Sequence, residues 1–151
     1  MPIAVEVVTQ EKLIFSEPEA DMVLVPATEG EMGVLPNHAP VLTTLGYGEL
    51  VIRKGRAAER FAIYGGVVDI RPDKVVVLAD TAASSYALDE AEAESARERA
   101  KNQLEMAQSD AEFQHAVHEM RRAEFTIRVN RKVRATGPSI RILAEDESEN
   151  S

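Results

Sequence analysis

The histidines of the second half, with the acidic residues beside them, are the first candidates for chemistry in this sequence. His115 and His118 are three residues apart, and Glu112 and Glu119 lie close by. On a helix, this spacing places two nitrogen donors and a carboxylate on one side, where they could ligate a metal ion. Helical surfaces produce such pairs often, so we expect these side chains to be exposed to solvent.

Other reactive groups are scarce. The chain has no Cys, which excludes disulfides, thiolate nucleophiles and cysteine metal cages. The sequence offers no credible pair of nucleophile and base, and no glycine-rich phosphate loop of the Walker type. A jelly-roll enzyme is not favoured, because His38 is the one histidine of the first half. A second alternative is a binding module that dimerises through its helices. Such a module would use exposed aromatic platforms, and with three Tyr, four Phe and no Trp the chain offers few of them.

Charge is distributed unevenly along this acidic chain. The net charge of -9 argues against a general nucleic-acid binder, because phosphates are bound by clustered Lys and Arg. Residues 113–134 are nevertheless a basic island, either a solvated helix face or a surface for an acidic partner. The basic residues of this island are Arg121, Arg122, Arg128, Arg131, Lys132 and Arg134.

The elements that must position these residues differ between the two halves. From Pro2 to about Ala83, short β-branched runs separated by Gly, Pro, Asp and Asn predict an antiparallel β-sandwich of about eight to ten strands. Turns are predicted at Arg53–Arg56 and Arg71–Lys74. The Gly65-Gly66 pair predicts a strand bulge or a close approach of two backbones.

After Ser84 the hydrophobic period becomes 3.6, which predicts two antiparallel helices. Asp89 is expected to accept the amide of Glu92 as a helix cap, and the Glu92 carboxylate to return the contact. Ser109 or Asp110 would cap the second helix. The predicted apolar stripes are Ala93, Ala96, Ala100, Leu104 and Ala107 on the first helix, and Phe113, Ala116, Val117, Met120, Ala123 and Ile127 on the second.

These stripes are poor in large side chains. Burying a methyl-sized group contributes ~0.8 kcal/mol, against ~1.5 to 3 kcal/mol for a Leu or Phe, so the hairpin is not a strong core by itself. It is therefore either packed on the sandwich or a mobile arm. The predicted fold class is α+β with segregated parts: a β-sandwich in 1–84, a helical hairpin in 85–135 ended by Thr136-Gly137-Pro138, and an acidic, disordered tail in 136–151.

The loop and strand sequences resemble a known family. TEGEMGVLPNHAPVLTTLGYGELVIR and YGGVVDIRPDKVVVLAD, in this order and before a helical hairpin, closely resemble the epsilon subunit of bacterial and chloroplast rotary ATP synthases. The resemblance covers about residues 3–134, and EGEMGVLPNHAP is among its most specific pieces. It implies a non-catalytic rotor subunit in the central stalk, between the gamma subunit and the c-ring, on the cytoplasmic face of the bacterial membrane.

The resemblance also implies two contact surfaces. The hairpin would either lie against the sandwich or extend along gamma into the alpha/beta hexamer, where the basic island would meet an acidic segment of the beta subunits and block ATP hydrolysis. His38 has the alternative role of a hydrogen-bonded loop residue. The implied interface residues of the sandwich are Glu29, Glu31 and His38 toward the c-ring, Met32 toward the c-ring or gamma, and Val34 and Leu35 toward gamma or within the sandwich packing.

Some members of that family bind ATP at a hairpin motif of Ile or Leu, Asp, two variable residues, Arg and Ala. Here Leu88-Asp89-Glu90-Ala91-Glu92-Ala93 places Glu92 at the arginine position, where its charge would repel phosphate. No cofactor is therefore expected. Arg97 and Arg99 lie one to two turns further on and are the remaining candidates for a phosphate contact, while Asp89 is more simply a helix cap.

Overall fold

The computed structural model describes residues 2–133 and residue 140. These residues belong to two compact units, the first reaching Ser85 and including Ile140, the second beginning at Tyr86. The strands are β1 (Ile3–Val8), β2 (Leu13–Ala20), β3 (Met22–Ala27), β4 (Gly30–Val34), β5 (Val41–Lys54), β6 (Ala57–Ile70), β7 (Lys74–Ala79) and β8 (Ala82–Ser84). A 3-10 turn (Ser85–Ala87) and the helices α1 (Glu90–Met106) and α2 (Asp110–Val133) follow.

The strands of the first unit form an 8-stranded sheet that folds over a shared core. Its order is β2-β1-β7-β6-β5-β3-β4, and β8 pairs with β6. The pairing of β1 with β7 is parallel, whereas β5 with β6 and β6 with β7 are antiparallel. A β-sandwich followed by two helices confirms the predicted segregated α+β fold.

The two longest strands merge runs that the sequence presents separately. VLTTL and ELVIR belong to one 14-residue strand, β5, and RFAIYGG and VVDIR belong to β6 of the same length. Their ladder runs from Val41 opposite Ile70 to Lys54 opposite Ala57 without a change of register. Both strands contain glycines near their middle, and the ladder continues through them.

Gly66 provides the close backbone approach that the Gly65-Gly66 pair predicts. Its φ is 132°, and a Cβ built on it would lie 2.8 Å from the Cα of Ala79 and collide with the carbonyl oxygen of Leu78. The alternative of a bulge is not realised here, because Leu45 pairs with Gly66 and Tyr47 with Tyr64 in a constant register. A side chain at position 66 would therefore push β6 and β7 apart.

The core of the sandwich follows the alternation of its strands. Leu50 and Ile52 of β5 have no exposed surface and belong to one buried cluster with Phe61 of β6. The Phe61 ring packs against that of Phe15 with the centroids 5.4 Å apart. Ile140 also belongs to this cluster and is 8% exposed. A residue from the region predicted as a tail is thus part of the sandwich core; the rest of 136–151 lies outside the described residues.

Both predicted turns are confirmed. Lys54 ends β5 and Ala57 begins β6, and Gly55 between them has φ 60°, which a glycine adopts without strain. The turn between β6 and β7 is closed by the Arg71 amide, which donates to the carbonyl oxygen of Lys74 at 2.8 Å.

The caps of both helices follow the sequence pattern, with one exception. The Asp89 carboxylate accepts from the amide of Glu92 at 3.2 Å, as predicted. The predicted return contact is wrong, because the Glu92 carboxylate accepts instead from Arg99 at 3.1 Å. Of the candidates for the second cap, it is Ser109 whose hydroxyl accepts the amide of Glu112, at 3.2 Å. The predicted end at Thr136-Gly137-Pro138 lies outside the described residues.

Small side chains form most of the buried seam between α1 and α2. The prediction that Phe113 joins this seam is wrong: it lies in the first turn of α2 and is 45% exposed. A second buried row, with a spacing of four residues, lies on a different side of α2. The buried seam residues are Ala93, Ala100, Ala116, Ala123 and Ile127, and the second row is Phe125, Val129 and Val133. Neither α1 nor α2, nor any other helix of the described residues, is long and apolar enough to span a bilayer.

Candidate functional site

The first candidate site is a surface at one edge of the sandwich, which we name the loop surface. It comprises the turn between β3 and β4, the strand β4 and the loop that follows, and it contains the sequence-predicted Glu29, Glu31, Met32, Val34, Leu35 and His38. β4 stands at one end of the strand order and pairs with β3. Glu29 and Glu31 are both exposed there, so an acidic rim borders the free edge of the sheet.

The apolar residues of the loop surface divide into structural and exposed ones. Val34 has no exposed surface and belongs to the core cluster, and the half-buried Met32 packs against the same cluster. Leu35, the next residue, is 58% exposed. The structure therefore assigns Val34 and Met32 to the sandwich packing and leaves Leu35 available for a partner.

The segment around His38 is held by backbone hydrogen bonds. Asn37 adopts the left-handed φ of 70° and donates its amide to the carbonyl oxygen of Pro72 at 2.8 Å. The His38 amide donates to Leu35 at 3.2 Å, and its Nδ1 lies 2.7 Å from the carbonyl oxygen of Ala39. His38 is thus a half-buried, hydrogen-bonded loop residue. These contacts fix the loop on the turn between β6 and β7, so Leu35 is presented from a defined backbone.

The second candidate site is the basic island on α2. Arg121, Arg128 and Lys132 are exposed and recur at intervals of seven and four residues, which places them along one side of the helix. The guanidinium carbon of Arg128 lies 5.8 Å from the centroid of the Phe125 ring, in cation–π contact. Arg122 is half-buried and points to a different side. Arg134 lies outside the described residues.

Arg131 departs from the predicted outward-facing island. Its Nε donates to Glu90 Oε1 of α1 at 2.9 Å. This hydrogen bond, and then the negative charge of Glu90, raise the pKa of the Arg131 guanidinium above its ordinary value. Arg131 therefore stays charged and is engaged within the hairpin. The sequence analysis missed Glu90 as a partner, since its spacing from Arg131 gives no local signal.

The residues considered for nucleotide binding, Asp89, Arg97 and Arg99, do not form a phosphate-binding site together. Asp89 is used as the cap of α1, and Glu92 and Arg99 form an exposed ion pair. Arg97 is exposed on the same helix. The carboxylate of Glu92 thus pairs with Arg99, the arginine of this group that lies close to it.

The histidine pair lies near the hairpin tip. His115 and His118 are both exposed, as the sequence predicts. Within residues 2–133 and 140, no group of three or more His, Asp or Glu side chains is arranged to hold a metal ion. An open cleft of about 360 Å³ lies between the helix ends. Its lining residues are Asn102, Gln103, Met106, Glu112 and His115.

The fold and its surfaces define a class of protein: a β-sandwich with a fixed contact loop, carrying a helical hairpin with exposed basic side chains. Residues 2–85 match the β-sandwich domain of the ATP synthase delta/epsilon chain. The ATP synthase epsilon chain of Herpetosiphon aurantiacus is 41% identical over 129 residues, which is 85% of this chain and 94% of that protein. The chain therefore belongs to the ATP synthase epsilon chain family.

Other known proteins agree with this assignment. The ATP synthase epsilon chain of Alkalilimnicola ehrlichii is 41% identical over 120 residues, covering 79% of this chain and 85% of that protein. Among solved structures, a chain of the Euglena gracilis mitochondrial ATP synthase assembly of OSCP, F1 and c-ring has a TM-score of 0.73 at 21% identity, over 82% of this chain and 78% of that one. At this identity the similarity supports the fold.

Proposed function

We propose that this chain is a non-catalytic rotor subunit of an ATP synthase, which joins the gamma subunit to the c-ring on the cytoplasmic side of the bacterial membrane. The observation that carries the proposal is the 41% identity to an epsilon chain over 94% of that protein's length. The loop surface supports it, because a coupling element must hold its contact residues on a rigid frame, as the Asn37 and His38 hydrogen bonds do.

Binding to the purified gamma subunit tests the coupling role. The full chain mixed with gamma should co-elute from a size-exclusion column, because a stalk subunit needs a stable interface with its neighbour. A free-standing sandwich that dimerises through its helices would elute as its own dimer, with or without gamma. Separate elution of the two proteins at micromolar concentration would contradict the proposal.

In the proposed rotor, the hairpin restrains ATP hydrolysis by contacting the alpha/beta hexamer. The exposed Arg121, Arg128 and Lys132 provide a positive face for an acidic surface of the hexamer. The alanine seam supports such a movement, because small side chains hold helices together with little energy. Changing a population from 1:99 to 99:1 needs ~5.5 kcal/mol of differential interaction. ATP hydrolysis by synthase with charge-reversed α2 tests this role.

This chain is proposed not to sense ATP. Glu92 stands at the arginine position of the motif, and its carboxylate is paired with Arg99, so an entering phosphate would meet a negative group and a neutralised positive one. Calorimetry of the full chain with ATP at millimolar concentration should give no saturable heat. A saturable heat that disappears in the Arg99→Gln variant would contradict the proposal and would identify Arg99 as the phosphate contact.

A further inference from the structure

The open end of the hairpin, where α1 begins and α2 ends, is closed by polar contacts. Asn130 Nδ2 donates to the carbonyl oxygen of Leu88 at 2.7 Å. Arg131 donates to Glu90, and its Nη2 lies 3.6 Å from Glu94 Oε1. We name this group of residues, Leu88, Glu90, Glu94, Asn130 and Arg131, the clasp.

The clasp joins helix ends of opposite charge. The first turn of α1 contains Glu90 and Glu92, and the last turn of α2 contains Arg131 and Lys132. Acidic residues at a helix N-terminus and basic residues at a C-terminus each interact favourably with the helix dipole. Because the helices are antiparallel, Glu90 and Arg131 also attract one another across the hairpin.

Partial burial makes the clasp stronger than an ordinary surface ion pair. The Arg131 side chain is 62% exposed, but its partner Glu90 is only 18% exposed and Asn130 is 6% exposed, so water reaches this end of the contact incompletely. The pair of Glu92 with Arg99 gives the contrast within the same molecule. Its side chains are 68% and 61% exposed, and both belong to α1, so it joins nothing across the hairpin.

We propose that the clasp is an intramolecular restraint that holds the two helices of the hairpin together. In it, Glu90 and Glu94 bind Arg131 in the place that the carboxylates of an acidic protein partner would take. The helices then separate, and Arg131 becomes available, when such a partner surface replaces the two glutamates. This inference rests on the proposed role of the hairpin in restraining hydrolysis. It adds that Glu90 and Glu94 compete with the partner for Arg131, so the partner must bind Arg131 more tightly than these two glutamates do.

The distance between the helices in the full chain tests the clasp. Because the chain has no Cys, Ser95→Cys and Glu124→Cys introduce two spin-label sites, one on each helix, without background labelling. In this labelled chain, Glu90→Gln with Glu94→Gln should raise the population with separated helices roughly three- to tenfold, as expected for losing a partly buried charged contact. The matched control is Glu92→Gln with Glu98→Gln, which removes the same charge from the same helix and should change nothing. Equal distance distributions in the two double variants would overturn the proposal.

A charge exchange separates loss of the clasp from loss of folding. Arg131→Glu should separate the helices, and adding Glu90→Arg should move the population back toward the paired form, because an ion pair of reversed polarity can form. Circular dichroism checks that each variant keeps its helices. An exchanged variant that is no better paired than Arg131→Glu alone would overturn the clasp.

Hydrolysis by the assembled synthase distinguishes the clasp from the function on which it rests. Glu90→Gln with Glu94→Gln should lower the rate of ATP hydrolysis roughly three- to tenfold, since more hairpins are free to inhibit. If the rate responds to reversal of Arg121 and Arg128 but not to the clasp variant, the clasp is overturned. If the rate responds to neither, the proposed inhibition fails, and the label distances still decide whether the clasp pairs the helices.

Discussion

Val34 and Leu35 are neighbours in sequence with opposite environments. Val34 is the last residue of β4 and has no exposed surface, whereas Leu35 begins the following loop and is 58% exposed. The end of the strand explains the difference: Val34 still has the inward position of β4, whereas Leu35 lies in the loop beyond it. At the residue scale, the same short segment therefore stabilises the sandwich through Val34 and exposes Leu35 for the proposed contact with a partner.

Alanine substitution at these two positions should separate stability from binding. Val34→Ala should lower the free energy of unfolding by about 2 kcal/mol, through lost burial and the cavity left behind, when measured by urea denaturation. Leu35→Ala should leave it within about 0.5 kcal/mol of the parent and raise the Kd for the gamma subunit roughly three- to tenfold. If Leu35→Ala bound gamma like the parent, Leu35 would not be part of that interface.

At the scale of elements, α2 combines buried apolar residues, two of them alanines, with charged residues that have different roles. Arg131 is held by Glu90 of α1, while Arg121 and Arg128 face solvent. A uniform basic island, as the sequence suggests, is thus divided into one internal contact and an exposed face. An acidic partner would therefore contact Arg121 and Arg128 before it reaches Arg131.

Charge reversal on this face should weaken the inhibition of hydrolysis. Arg121→Glu with Arg128→Glu should raise ATP hydrolysis by the assembled synthase roughly three- to tenfold, because attraction to an acidic surface becomes repulsion. The effect should shrink at high salt, which screens exposed charges. Arg97→Glu with Lys101→Glu makes the same charge change on α1 and serves as the control. Equal rates of hydrolysis for the two double variants would mean that Arg121 and Arg128 of α2 take no part in the inhibitory contact.

At the scale of the whole molecule, the sandwich core contains residues from both ends of the chain. Ile3 in β1 and Ile140, which comes after the hairpin in sequence, belong to the same buried cluster. A side chain that follows the hairpin therefore contributes to the stability of the first unit.

Removing the Ile140 side chain should destabilise the sandwich. Ile140→Ala should lower the free energy of unfolding by about 2 to 4 kcal/mol, the usual result for truncating a buried isoleucine. Leu42→Ala is the control, because Leu42 is 73% exposed and should change stability by less than about 0.5 kcal/mol. Urea denaturation followed by far-ultraviolet circular dichroism measures both. Equal midpoints would mean that Ile140 adds nothing to the core.

The sequence by itself determined the elements whose signals are local. The change of period after Ser84, the caps at Asp89 and Ser109 and the turns at Arg53–Arg56 and Arg71–Lys74 each depend on residues a few positions apart, and each is present in the structure. The motif around the loop surface likewise identified the family. Hydrophobic period and turn chemistry act over short distances, so they can be read without coordinates.

Only the tertiary structure decided which of the predicted site residues are exposed to a partner and which are engaged in internal contacts. Glu90 and Arg131 are 41 residues apart and become partners because the hairpin reverses the chain. Ile140 joins the core with Ile3 although the two residues are far apart in the sequence, and Gly66 is required because the backbone of the neighbouring strand β7 lies too close for a side chain. Such contacts depend on the three-dimensional path of the backbone, which brings together residues whose local sequences carry no information about each other.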